Sequence, residues 1–102
     1  MIPVIERRRT ELEALCRRFG VRRLEAFGSA VTGHFRPETS DIDFLVEFQP
    51  SDGPGYADRY FGLLESLEAL FGRPVDLVVA SAIKNPYFRQ TVDKTRTLLF
   101  AA

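Results

Sequence analysis

The sequence predicts an α/β fold, a small mixed β-sheet with helices mainly on one face. Three observations predict it. First, Ile42, Phe44, Val46 and Phe48 alternate with Asp41, Asp43, Leu45 and Glu47, the period-2 pattern of a strand with one buried face. Second, Phe61, Leu64, Leu67 and Phe71 recur at helical spacing, with Tyr60, Leu63 and Leu70 widening the stripe. Third, Val75, Leu77 and Val79 alternate with Asp76 and Val78 directly after that helix. Strand, helix, strand in that order favours a parallel crossover.

Taken in order, the chain opens with Pro3, which suits the first turn of a helix. Ile5, Leu12, Leu15, Cys16 and Phe19 mark its apolar stripe, and Gly20 suits a left-handed cap. The arginines Arg7, Arg8, Arg9, Arg17 and Arg18 read as a solvated helix face, and Cys16 as core packing. Val21–Phe27 is the first strand, apolar enough in its second half to be internal. Gly28-Ser29 breaks it, Ala30–Thr32 has room for one helical turn, and Gly33 releases that turn. His34–Ser40 is a polar connection containing Pro37, Asp41–Phe48 the second strand, and Gln49–Gly55 a loop rich in Pro and Gly. Asp58 or a neighbour opens the next helix, which Gly72 and Pro74 end. After the third strand, Ser81 begins a short turn. Asn85-Pro86 starts the last helix, with Phe88 and Val92 toward the core. Thr97–Phe100 is β-prone, a last strand or a frayed tail.

The bulk numbers bound the function. A chain of 102 residues reads as one domain, residues 1–102. Fourteen Lys and Arg balance fourteen Asp and Glu, which argues against broad electrostatic binding to nucleic acid or to anionic membrane. One cysteine allows no intrachain disulfide, and a reducing cytoplasm fits. The first residues carry no signal-peptide pattern, and no apolar run approaches membrane-spanning length.

The chemistry concentrates in two places. Asp41 and Asp43 lie on one face at the head of a strand, where like charges repel unless a cation neutralises them. A hard ion such as Mg2+ takes oxygen ligands of this kind. Upstream, Gly28-Ser29 forms a turn that lets backbone N–H groups approach a phosphate. A phosphate cradle beside a carboxylate pair suggests metal-assisted chemistry on a nucleoside triphosphate. Asp76 is a third carboxylate that shares the face of Asp41 and Asp43 if the two strands are neighbours. His34 is the only histidine, so a histidine-based metal site or Ser–His nucleophile is not available.

Gly28-Ser29 followed by Asp41-Ile42-Asp43 resembles the signature of the DNA polymerase β-like nucleotidyltransferases. The runs Gly28-Ser29-Ala30-Val31-Thr32-Gly33 and Ser40-Asp41-Ile42-Asp43-Phe44-Leu45-Val46 are most similar to the minimal nucleotidyltransferases of HEPN/MNT toxin–antitoxin pairs. The likeness continues through Gly72-Arg73-Pro74-Val75-Asp76-Leu77-Val78 and so covers most of the chain. The resemblance implies the polymerase β-like fold and a Mg2+ site of Asp41, Asp43 and Asp76. Asp76 would also help deprotonate the attacking hydroxyl. Gly28 and Ser29 would hold the β- and γ-phosphates of ATP through backbone N–H groups and the Ser29 hydroxyl. Thr32 departs from the basic residue common there in relatives; His34 and Arg36 of the following loop are the candidates to substitute, and each reads first as a solvated loop residue. The implied reaction is transfer of AMP to a hydroxyl, commonly of tyrosine, on a HEPN toxin, in a hetero-oligomer. One core consumes these residues and the net charge is zero, which also points to an acceptor on a partner chain. Two alternatives stay open: an antitoxin that acts by binding alone, and an antibiotic-modifying nucleotidyltransferase completed by oligomerisation.

Overall fold

A computed structural model describes residues 2–34, 36, 40–50 and 55–102. Pro3 occupies the first position of α1 (Pro3–Arg7). The sequence reading of one continuous first helix is corrected here, because the chain leaves helical geometry at Arg8 (φ −104°, ψ 18°) before α2 (Arg9–Arg18). The reason lies in the stripe. One turn beyond Ile5 it offers Arg8 and Arg9 instead of apolar residues, and Arg9 Nε turns aside to donate to Leu99 O at 3.3 Å. Ile5, Leu12 and Cys16 are still fully buried, so the stripe itself survives the break.

Four strands follow: β1 (Val21–Phe27), β2 (Ile42–Phe48), β3 (Val75–Val79) and β4 (Thr97–Ala101). They form one mixed sheet in the order β3-β2-β1-β4. β1 runs antiparallel to both β2 and β4, while β2 and β3 are parallel. The crossover between β2 and β3 is α4 (Tyr56–Phe71), as the strand–helix–strand order requires. Thr97–Phe100, readable as strand or tail, is a strand because β1 offers it a free edge.

The sheet has two unequal faces. Ala26, Ile42, Phe44, Val46, Val75 and Leu77 point to the larger core, where α1, α2 and α4 bring Ile5, Leu12, Leu63 and Leu67. Each fully buried leucine of this set contributes about 1.5–3 kcal/mol relative to an exposed one. Phe27 and Leu45 point the other way, against Val92 of α5 (Pro86–Thr95) and Ala80 of a single 3-10 turn (Ala80–Ala82). Asn85 caps α5 as read: its Oδ1 accepts the N–H groups of Tyr87 and Phe88 at 2.9 and 3.2 Å.

Two aromatic assignments are corrected. Phe61 is 56% exposed, although its spacing placed it on the buried stripe of α4. The phase of α4 is set instead by Leu63, Leu67 and Phe71, and by Tyr60, whose Oη donates to Leu77 O at 2.6 Å. Phe88 remains 37% exposed and offers the core only an edge-on contact with Phe27, centroids 6.1 Å apart.

Side chains plug the sheet's edges. On the outer side of β3, Glu68 Oε2 accepts the Val75 N–H at 3.1 Å and Tyr60 occupies Leu77 O. On the outer side of β4, Arg9 occupies Leu99 O. No described helix is long and apolar enough to cross a membrane.

Candidate active site

The parallel register pairs Asp43 of β2 with Asp76 of β3, and the antiparallel register pairs Asp43 with Phe27 of β1. Across the sheet the row is therefore Asp76, Asp43, Phe27, with Gly28 next along the chain. Asp41 lies just before β2, two residues from Asp43. The heads of the two parallel strands are tied together by Ile42 N–H on Pro74 O at 3.3 Å and by Arg73 Nη1 on Ser40 O at 3.5 Å. All three sequence-predicted carboxylates thus come to one end of one sheet face.

Their surroundings differ. Asp41 and Asp76 are exposed, whereas Asp43 is half-buried between its neighbours. Burial, then the charge of Asp76, then that of Asp41 push the Asp43 carboxyl up from 3.8 to about 6. A bound cation would oppose this upward push by neutralising the clustered charge. Among the described residues no three His, Cys, Asp or Glu groups are already gathered as a metal cage. The acids form an open row instead, and their oxygen-only donors fit a hard divalent cation such as Mg2+ better than a soft-ligand metal.

Gly28 is required on two counts. Its backbone (φ 73°, ψ −144°) lies where glycine alone is unstrained. A Cβ placed there would also come within 2.7 Å of Asp43 Oδ2. The turn therefore lies directly against the carboxylate. Beyond it, Ser29–Thr32 forms the one-turn helix α3, in which Gly28 O accepts the N–H groups of Val31 and Thr32 at 3.0 and 3.2 Å. The reading of Gly28 N–H as a free phosphate donor is corrected: it already donates to Thr95 Oγ1 at 2.8 Å. Ser29 is left as the donor-bearing residue of the turn.

Of the residues proposed to replace a basic group at Thr32, His34 folds back with Nδ1 3.1 Å from Thr32 Oγ1. Arg36 donates its backbone N–H to Ser40 Oγ at 2.9 Å. Pro37 and residues 51–54 of the Gln49–Gly55 loop lie outside the described residues. A cleft of about 380 Å³ lined by Glu47, Phe48, Tyr56 and Arg59 does not contain the acids. It sits four strand residues from Asp43, roughly 13 Å away at about 3.3 Å per residue.

One charged residue on the site face escaped sequence reading. Glu25 is 2% exposed in the middle of β1. Arg96 grips it with Nε on Oε2 at 2.6 Å and Nη2 on Oε1 at 3.2 Å, and Arg23 adds a short contact to Oε1. Burial alone would push the Glu25 carboxyl up, but the hydrogen bonds from Arg96 and Arg23 overcome it and hold the group below its ordinary value of 4.5.

The family model for the nucleotidyltransferase domain matches residues 9–99. The chain belongs to the nucleotidyltransferase family. This nucleotidyltransferase is 35% identical over 77 residues to MJ1379 of Methanocaldococcus jannaschii, described as a candidate protein adenylyltransferase, with 76% of this chain and 75% of that one covered. It is 46% identical over 68 residues to the protein adenylyltransferase MntA of Thermococcus cleftensis, covering 67% and 65%. A solved candidate minimal nucleotidyltransferase superposes with a TM-score of 0.73 at 31% identity, covering 91% of this chain and 90% of that chain. Two toxin–antitoxin structures share the fold. One, with AMP-PNP, has a TM-score of 0.69 at 21% identity and covers 92% and 73%. The other is the tri-AMPylated Shewanella oneidensis HEPN toxin with its MNT antitoxin, TM-score 0.64 at 18% identity, covering 95% and 72%.

Proposed function

We propose that this nucleotidyltransferase is an antitoxin that transfers AMP from Mg-ATP to a hydroxyl, that of a tyrosine, on a partner HEPN toxin. The observation that carries the reading is the row of Asp76 and Asp43 in register, with Asp41 beside them and the Gly28 turn packed on Asp43. Relatives named protein adenylyltransferases and a fold neighbour bound to an AMPylated HEPN toxin support the choice of acceptor.

In this reading Asp41, Asp43 and Asp76 hold Mg2+, which when bound neutralises charge on the triphosphate. Ser29 offers its N–H and hydroxyl to the β- and γ-phosphates, and Gly28 shapes the turn that presents them. The acceptor oxygen forms a bond to the α-phosphorus while the bond from that phosphorus to the α–β bridging oxygen breaks. Pyrophosphate leaves on the Gly28-Ser29 side, so the acceptor enters in line from the opposite side. Asp76, exposed on the neighbouring strand, accepts the hydroxyl proton.

The test is intact-mass spectrometry. The chain is incubated with Mg-ATP and the product of the adjacent open reading frame. An AMP-sized increment on that partner, absent with Asp41→Asn, is expected. An unmodified partner beside an adenylylated aminoglycoside would overturn the reading.

A further inference from the structure

Neither backbone polar group of Gly28 is spare. Its C=O is taken up inside α3 and its N–H by the Thr95 hydroxyl, 67 residues downstream. The same glycine lies so close to Asp43 that a methyl group would collide with Oδ2. One hydroxyl oxygen therefore fixes the peptide plane that leads from β1 into the turn, and with it the spacing between the turn and the carboxylate.

We infer that Thr95 is a positioning residue: it holds the Gly28-Ser29 turn at the distance from Asp43 that lets Ser29 and the acids engage one triphosphate. The inference rests on the nucleotide-transfer reading above. Thr95 is itself held firmly. It is the last residue of α5, and Thr97 Oγ1 donates to its C=O at 3.0 Å. The next residue, Arg96, donates its N–H to Val92 O at 2.9 Å and grips Glu25 through two guanidinium bonds. Glu25 lies on β1, three residues before Gly28, which follows the strand's last residue. The segment from Glu25 to Gly28 is thus fastened at both ends to the junction of α5 and β4, by the Arg96 fork at one end and the Thr95 hydroxyl at the other. A two-pronged guanidinium–carboxylate contact fixes direction as well as distance. This explains why a buried glutamate gripped by two arginines stands behind a turn that otherwise needs only a glycine.

Thr95→Val keeps the shape of the side chain and removes the acceptor, and Thr95→Ser restores it. Two quantities are read. The first is hydrogen exchange of the Gly28 amide, by NMR on the nucleotide-free protein. Loss of one hydrogen bond is expected to speed it about tenfold in Thr95→Val. Thr95→Ser should exchange like wild type, and the Leu45 and Val46 amides should keep their rates in both variants. The second is Mg-ATP affinity by calorimetry, expected to fall about tenfold in Thr95→Val and to return in Thr95→Ser. Arg96→Lys replaces the fork by a single donor. It should move both readouts the same way by a smaller factor, which serves if Thr95→Val does not fold. Equal Gly28 exchange in all variants would overturn the inference, as would fast exchange with wild-type affinity. A wild-type chain that binds no Mg-ATP would instead overturn the nucleotide-transfer reading and, with it, the role given to Thr95.

Discussion

Replacing Asp43 by Asn is expected to stabilise the metal-free protein. In the folded chain burial and the charges of Asp76 and Asp41 raise the Asp43 carboxyl from 3.8 to about 6. The folded state therefore holds this proton more tightly than the unfolded state does. Below 3.8 both states are protonated and the group costs nothing. As pH rises from 3.8 to about 6 the unfolded chain ionises first, stability falls, and above that the penalty is complete. At about 1.4 kcal/mol per pH unit, the ceiling is about 3 kcal/mol. Asp43 keeps some contact with water, which screens the repulsion and brings the expected gain of Asp43→Asn to about 1–2 kcal/mol at pH 7.5. For a domain of this size that is about 4–15 °C in Tm. Thermal unfolding of both proteins in EDTA at pH 4, 6 and 7.5 measures it. The gap between them should be near zero at pH 4 and grow with pH. Saturating Mg2+ at pH 7.5 should raise wild type and leave the variant behind. A variant less stable than wild type at pH 7.5, or a gap that ignores pH, would refute the electrostatic reasoning.

Other expectations concern single side chains around the same sheet. Gly28→Ala places a Cβ 2.7 Å from Asp43 Oδ2 at a φ of 73°. It should cost about 1–3 kcal/mol in chemical denaturation and abolish Mg-ATP binding by calorimetry. Asp76→Asn should lower the transfer rate by about 10²-fold or more and Mg-ATP affinity by a smaller factor, measured side by side; a wild-type rate would make it a bystander. Cys16 is fully buried and its thiol is pushed up to about 12, by burial first and then by Glu13. It should ignore a disulfide reagent at pH 8 in the folded protein and react within seconds in denaturant.

What was legible in the sequence was local. The limits of β1, the Asn85 cap and the alternation around Asp43 and Asp76 depend on neighbours in the chain, and each was readable. Phe61 misled because a helix with apolar residues over half its circumference does not announce which half is buried. That choice was made by Tyr60 reaching a carbonyl on β3. The role of Glu25 was invisible for the opposite reason. Between Leu24 and Ala26 it looks like an outward polar residue, and its burial depends on Arg96, 71 residues away, acting with Arg23. Thr95 carries no motif at all; its meaning comes from the glycine it touches. Asp41, Asp43 and Asp76 could be named because their chemistry is carried by residue type. The parts that hold the Gly28 turn could not, because theirs is carried by tertiary pairing.

The plugged rims of the sheet limit how other chains can meet this one. A strand arriving beside β3 would have to evict the Tyr60 hydroxyl and the Glu68 carboxylate, and one arriving beside β4 would have to evict Arg9. Each eviction leaves polar groups seeking new partners, so ribbon-style growth between copies is discouraged. Contact with other molecules is left to the faces of the sheet and to the open end where Asp41 and Asp76 are exposed.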